Sequence, residues 1–163
     1  MNDYAEGLCD EFQFFTRENP PDFNRILSSI SRNASEKGLG GVVIYIGVVK
    51  NPVEGRIVKK LSYEVYEEYT LRRFSEIARD IKSRYSVECL KIYHVKGDTL
   101  PGDIAVIIVA QSIGRRGVFE AVRETIDLVK HTTGIWKIEE REDGVFWVLG
   151  EGERISRRGS ENV

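Results

Sequence analysis

Leu61-Ser62-Tyr63-Glu64-Val65-Tyr66-Glu67-Glu68-Tyr69-Thr70-Leu71-Arg72-Arg73-Phe74 changes its period halfway along. Up to Val65, Leu61, Tyr63 and Val65 alternate with Lys60, Ser62 and Glu64, the pattern of a half-exposed strand from Ile57 to Val65. From Tyr66 to about Tyr85 the spacing becomes helical. Tyr66, Tyr69, Phe74, Ile77, Ala78, Ile81 and Tyr85 share one face, with charged residues around the rest. A strand that runs straight into a long amphipathic helix requires a fold mixing both elements.

The same reading extends outward. Downstream, Val87 to His94 reads as a strand, Leu100-Pro101-Gly102-Asp103 as a turn and Ile104 to Ala110 as a buried β-branched strand. Gly114 to His131 reads as a second long helix. Ile135 to Glu140 and Val145 to Leu149 read as strands, with Asp143-Gly144 as the hairpin signal between them. Upstream, residues 12–15 are a short first strand, and a helix from about Asp22 to Ser35 has Pro21 in its first turn. Val42 to Ile46 is continuously apolar and reads as a strand covered on both faces. The order β-α-β-β-α-β-β-α-β-β predicts an α+β fold with a mostly antiparallel sheet and helices on one side. Residues 1–150 are expected to form one domain. The polar, basic stretch 151–163, with Arg154, Arg157 and Arg158, is expected to be a mobile tail.

At 163 residues, with 41% hydrophobic and 31% charged side chains, the chain can build a core and is not a disordered sequence. No apolar run approaches the roughly 18 to 20 residues that span a bilayer. The opening Met-Asn-Asp-Tyr-Ala-Glu carries no secretory signal, so a cytoplasmic protein is expected. Cys9, Cys89, His94 and His131 lack zinc-site spacing, and no metal is expected. In a reducing compartment the two cysteines are expected to pack as small apolar residues rather than join. The net charge of -2 argues against a nucleic-acid binder. Between Ile113 and Lys137, however, Arg115, Arg116, Arg123, Lys130 and Lys137 outnumber Glu120, Glu124 and Asp127, which suits a small anionic ligand.

The second helix holds an anomaly. Phe119, Val122 and Ile126 mark its inward stripe, and Lys130, eleven residues after Phe119, falls almost in register with them. Either Lys130 snorkels from the core edge onto the negative end of the helix dipole, or it faces a ligand. Gly134 permits a tight reversal, after which Ile135, Lys137 and Glu139 share one face of the next strand and Trp136 and Ile138 the other. Lys137 is then either paired with Glu139 at the surface or turned to the same point as Lys130. Lys50 opens a loop behind a buried strand, where side chains often meet ligands. Arg115 and Arg116 stand at the expected helix start, where backbone N–H groups and guanidinium forks together bind phosphate. His94 has no serine, cysteine or carboxylate pattern near it and reads as structural.

Ile126-Asp127-Leu128-Val129-Lys130, Gly134-Ile135-Trp136-Lys137-Ile138-Glu139, then Asp143-Gly144 and Trp147 form an ordered set of blocks. So do Gly47-Val48-Val49-Lys50 with Gly55, Leu61 to Tyr66, His94-Val95-Lys96-Gly97 with Pro101-Gly102-Asp103, and Arg115 ahead of Phe119-Glu120-Ala121. Together they resemble the large catalytic subunit of molybdopterin synthase over about residues 12–150. The resemblance implies an α+β fold with an α/β-hammerhead-like motif, and a homodimer that forms a heterotetramer with two small subunits. Each small subunit is a ubiquitin-like sulfur carrier whose C-terminal Gly-Gly ends in a thiocarboxylate. Two sulfurs pass to cyclic pyranopterin monophosphate, giving the dithiolene of molybdopterin, the precursor of the molybdenum cofactor. No metal or redox cofactor is implied for the step.

By position, Lys130 and Lys137 correspond to the family's essential lysines. Lys50, Arg115, Arg116, Glu139 and Ile126 are the substrate-binding candidates. The chain departs from the family pattern at Lys50, where arginine is usual, at Gly114, where histidine precedes the arginine, and at Val95, where arginine follows the histidine. Lysine keeps an arginine's charge and loses its bidentate fork. Crowding by cations is expected to depress the Lys130 pKa, with bound phosphate acting the other way. The competing function is a non-catalytic docking module for a ubiquitin-like protein.

Overall fold

The computed structural model describes residues 9–150 and 152–157, so Arg158 and the rest of the expected tail beyond it lie outside the described residues. The elements run β1 (Glu11–Phe15), α1 (Phe23–Lys37), β2 (Gly41–Val48), β3 (Val58–Val65), α2 (Glu67–Arg84), β4 (Cys89–Val95), β5 (Gly97–Thr99), β6 (Ile104–Ser112), α3 (Val118–Thr132), β7 (Ile135–Arg141), β8 (Gly144–Val148) and β9 (Arg154–Ser156). The fold is α+β, and among the described residues every strand pair but one is antiparallel. The strands divide into two sheets, β1-β4-β6-β2 and β5-β3-β7-β8-β9, rather than one.

The first sheet is the central layer. Along β4 and β6, Leu90, Ile92, Ile108 and Ala110 meet Phe74, Ile77 and Ile81 of α2 and Val118, Ala121, Val122 and Val129 of α3. The intervening Tyr93, Val95, Ile107 and Val109 face the opposite way, against Ile26 of α1 and Val58, Leu61 and Tyr63 of β3. Helices therefore lie on both faces, not on one as expected. α2 carries its apolar stripe as the period predicts, with Phe74 and Ile81 fully buried. α1 starts one residue later than expected, because the Asp22 carboxylate caps it by accepting from the Asn24 and Arg25 backbone N–H groups. It ends at Gly38, whose φ of 68° is the left-handed cap glycine supplies cheaply.

Three further expectations need correction. β2, read as covered on both faces, is an edge strand with no fully buried residue, and Ile46 and Val48 are exposed. Cys9 and Cys89 are joined in a disulfide. The parallel β1–β4 register pairs Glu11 with Lys91 and Phe12 with Ile92, and continued backward it sets Cys9 opposite Cys89. Finally, residues 154–156, expected in a mobile tail, form β9 and pair with β8. No helix among the described residues is long and apolar enough to cross a membrane.

Candidate active site

The two sheets and the C-terminal end of α3 enclose a pocket of about 450 Å³. Lys50 reaches it from the end of β2, Ile126 and Lys130 from α3, Lys137 and Glu139 from β7, and Tyr63, His94 and Arg154 complete its polar lining. Local structure accounts for the convergence. The last turn of α3 is tied off by its own side chains: Thr132 and Thr133 donate to the Leu128 and Val129 carbonyls, and Thr70 of α2 donates to the Thr133 carbonyl. Gly134 then reverses the chain at φ 69°, against the Tyr69 ring. β7 returns antiparallel to β3 with Lys137 opposite Tyr63 and Glu139 opposite Leu61. Ile135, Lys137 and Glu139 share the pocket face, as alternation predicts, while Trp136 is exposed on the other side.

Lys130 is exposed at the pocket's rim, in the last turn of α3, where the dipole favours a cation. Its inward neighbours are Val122, Ile126 and Val129; Phe119, assigned to that stripe, is exposed, and Val118 takes the buried place. Lys137 stands farther in, on the pocket wall. Burial lowers the affinity of the half-buried Lys137 amine for its proton; Glu139 opposes this, and Arg154, Lys130 and Lys50 add to it. His94, read as structural, is a pocket residue. Its Nδ1 lies 2.7 Å from the Val95 carbonyl, which can only accept, so Nδ1 carries the proton. Burial, and secondarily the Lys137 charge, pushes the ring down to about 4, so it is neutral at pH 7. The Tyr63 ring meets it edge-on at 5.2 Å, and burial with the Glu139 charge pushes the Tyr63 phenol up to about 12.

Arg115 and Arg116 are not brought into this pocket. They lie in the exposed turn before α3 and line a separate cleft with Ser86 and Glu88. The helix begins at Val118 with Gly117 as its cap, four residues later than expected, so neither arginine sits on its first turn. Arg154, by contrast, has no signal in spacing. Only the burial of Glu139 foretells it, since a carboxylate that is 1% exposed needs a cation beside it.

Residues 16–132 match the family model described as MoaE protein. The chain is 31% identical over 134 residues to the molybdopterin synthase catalytic subunit of Pyrococcus abyssi, covering 82% of this chain and 89% of that one. The chain belongs to the MoaE family. Within it, the crystal structure of molybdopterin synthase from Staphylococcus aureus superposes with a TM-score of 0.64 at 29% identity, covering 69% of this chain and 82% of that chain. A complex of subunits 1 and 2 of the molybdopterin-converting factor from Helicobacter pylori shares the fold, with a TM-score of 0.64, 22% identity and coverage of 93% and 92%. In this MoaE-family chain, Lys130 and Lys137, the pair the resemblance singled out, border the same pocket.

Proposed function

We propose that this pocket is where the chain, as the catalytic subunit of a molybdopterin synthase, transfers sulfur from the thiocarboxylate of a small ubiquitin-like carrier to cyclic pyranopterin monophosphate. The observation that carries the reading is the convergence of Lys50, Lys130 and Lys137 from three separate elements on one pocket. Donor and substrate are both anions, and their repulsion opposes any encounter in water. Fixed cations in a partly dehydrated site offset it without reorganising. In this reading Lys130, at the rim, meets the incoming carrier terminus and Lys50 holds phosphate. In each transfer a substrate carbon gains a bond to sulfur as its bond to oxygen breaks. Water then cleaves the acyl carbon–sulfur bond and leaves the carrier terminus as a carboxylate. The half-buried Lys137 serves as proton acceptor or donor beside the reacting atoms. The carriage of both reactants in water fits the cytoplasmic setting expected from the sequence, and the step calls for no metal or redox cofactor.

The same reading includes a homodimer carrying two carriers. β2 presents a free edge with no charged residue or proline from Gly41 to Val48 and with Ile46 and Val48 exposed, so along most of its length neither device guards it against pairing. Gly41, at one end of β2, packs against the Gly114 carbonyl, and Lys50 follows the other end. Two copies pairing antiparallel along β2 set Arg115 of one beside Lys50 of the other, which accounts for its position away from its own pocket.

Reconstitution with thiocarboxylated carrier and cyclic pyranopterin monophosphate tests the assignment, with molybdopterin measured directly. Lys130→Ala should reduce product formation at least 100-fold (an order-of-magnitude figure for losing one preorganised charge, about 3 kcal/mol) while still binding carrier. Near-normal turnover in that variant overturns the catalytic role. Carrier binding by the unaltered chain with no product makes it a docking module.

A further inference from the structure

The carboxylate nearest Lys137 in sequence does not pair with it. Glu139 accepts at Oε1 from Arg154 Nε at 2.7 Å and at Oε2 from Arg154 Nη2 at 3.2 Å. Arg154 Nη1 donates to the Gly152 carbonyl at 2.9 Å and lies 3.3 Å from Glu54, so the guanidinium is fixed on all sides. Arg141 Nε is 3.7 Å from Glu139, but its own fork is committed to Asp143 at 2.9 and 3.0 Å. Lys137 shares the Glu139 face of β7 and the same pocket, yet among the described residues its amine makes no ion pair within 4.0 Å. A buried carboxylate without Arg154 would draw in the nearest mobile cation, and the lysine two residues away on the same face is that cation.

We propose that Arg154 is a positioning residue: by occupying both oxygens of Glu139, it keeps the Lys137 amine out of an ion pair and free to engage the reactants. The inference rests on the sulfur-transfer reading of the pocket for its purpose, though not for its geometry. The groups that face Lys137 are Lys50 behind β2, Tyr63 of β3, His94 of β4, Lys130 of α3, Glu139 of β7 and Arg154 of β9. Tyr63 and His94 are neutral at pH 7, and Glu139 is matched by Arg154. Among the described residues, Lys137 is left facing Lys50 and Lys130 with no unmatched anion on the pocket wall. β9 thus contributes to the chemistry of the site, because pairing Val148 with Arg154 brings this one guanidinium onto the pocket wall.

Competitive acylation of the full chain across pH, with acetic anhydride and peptide mass spectrometry, reads the proton affinity of Lys137 separately from that of Lys130. In Arg154→Gln the Lys137 midpoint should rise by about one pH unit, a tenfold change in proton affinity. Arg154→Lys, whose point charge cannot span both oxygens, should give a smaller rise. Arg154→Gln combined with Glu139→Gln should return the midpoint toward the wild-type value, and this pair, lacking the orphaned carboxylate, remains informative if the single variant does not fold. An unchanged midpoint in Arg154→Gln, or a raised one in the double variant, overturns the proposal. The labelling result stands whether or not the wild-type chain makes product, so failure of the sulfur-transfer reading is seen separately, in the reconstitution assay. If both hold, the acid limb of the pH–rate profile moves upward with the labelling midpoint in Arg154→Gln.

Discussion

A buried imidazole that donates Nδ1–H to the Val95 carbonyl has Nε2 left, and burial beside Lys137 keeps that nitrogen unprotonated. The consequence for stability has a definite sign. Below about pH 6.5 the unfolded chain protonates His94, whereas the folded chain resists until about 4. Between those values the unfolded state binds more protons, so stability falls as pH falls, by on the order of 3 kcal/mol across the window. In His94→Asn, which keeps a donor for the carbonyl without titrating, that part of the slope should vanish. Urea midpoints between pH 4 and 7 check it, and equal slopes in the two proteins would rule it out. His94 also shows how far single residues are legible in the sequence. Lys130 and Lys137 stand out because a cation breaks an apolar register, but His94 breaks nothing: it sits in a strand where every residue is buried. Arg154 is less visible still, since what gives it meaning is a carboxylate fifteen residues away.

Between elements, the pairing of β1 with β4 is the relation the sequence does not display. Period and turn residues mark each strand, but parallel partners carry no local signal of their register. The cysteines are the missing clue. With an offset of 80 residues, Glu11 on Lys91 and Cys9 on Cys89 are the same alignment. The disulfide closes that long loop in the unfolded chain and should contribute roughly 2 to 4 kcal/mol. Reduction should lower the melting temperature by about 5 to 15 °C in a chain of this size. The Cys9→Ser variant should melt at the lower temperature with or without reductant. Wild-type protein that melts identically in both conditions, with no free thiols by titration before reduction, would disprove the contribution. The start of α3 departs from expectation for a related reason. Arg115 and Arg116 look like a helix start only if the turn is ignored, and Gly117 in the left-handed region sets the boundary later.

At the scale of the whole molecule, β2 is the strand that departs furthest from its expected place, and the departure has a physical cause. A continuous apolar run is expected where both faces are covered, yet here the strand lies at a sheet edge with Ile46 and Val48 exposed. Natural edges of this length usually carry charge or proline, and β2 has neither from Gly41 to Val48; its one register shift lies at its end, between Gly47 and Val48. In the proposed dimer, a second copy paired along this edge would cover it and would bring Arg115 to a pocket that its own chain leaves without it. Ile46→Lys puts a charge on that edge while leaving untouched every pocket side chain given a role in the reaction. It should shift the chain from dimer to monomer in sedimentation, since desolvating one unpaired ammonium in each copy costs several kcal/mol. It should also cut product formation while leaving the far-ultraviolet circular dichroism unchanged. If Ile46→Lys remains dimeric, the seam lies elsewhere. If it is monomeric and fully active, Arg115 of a second copy has no part in the reaction.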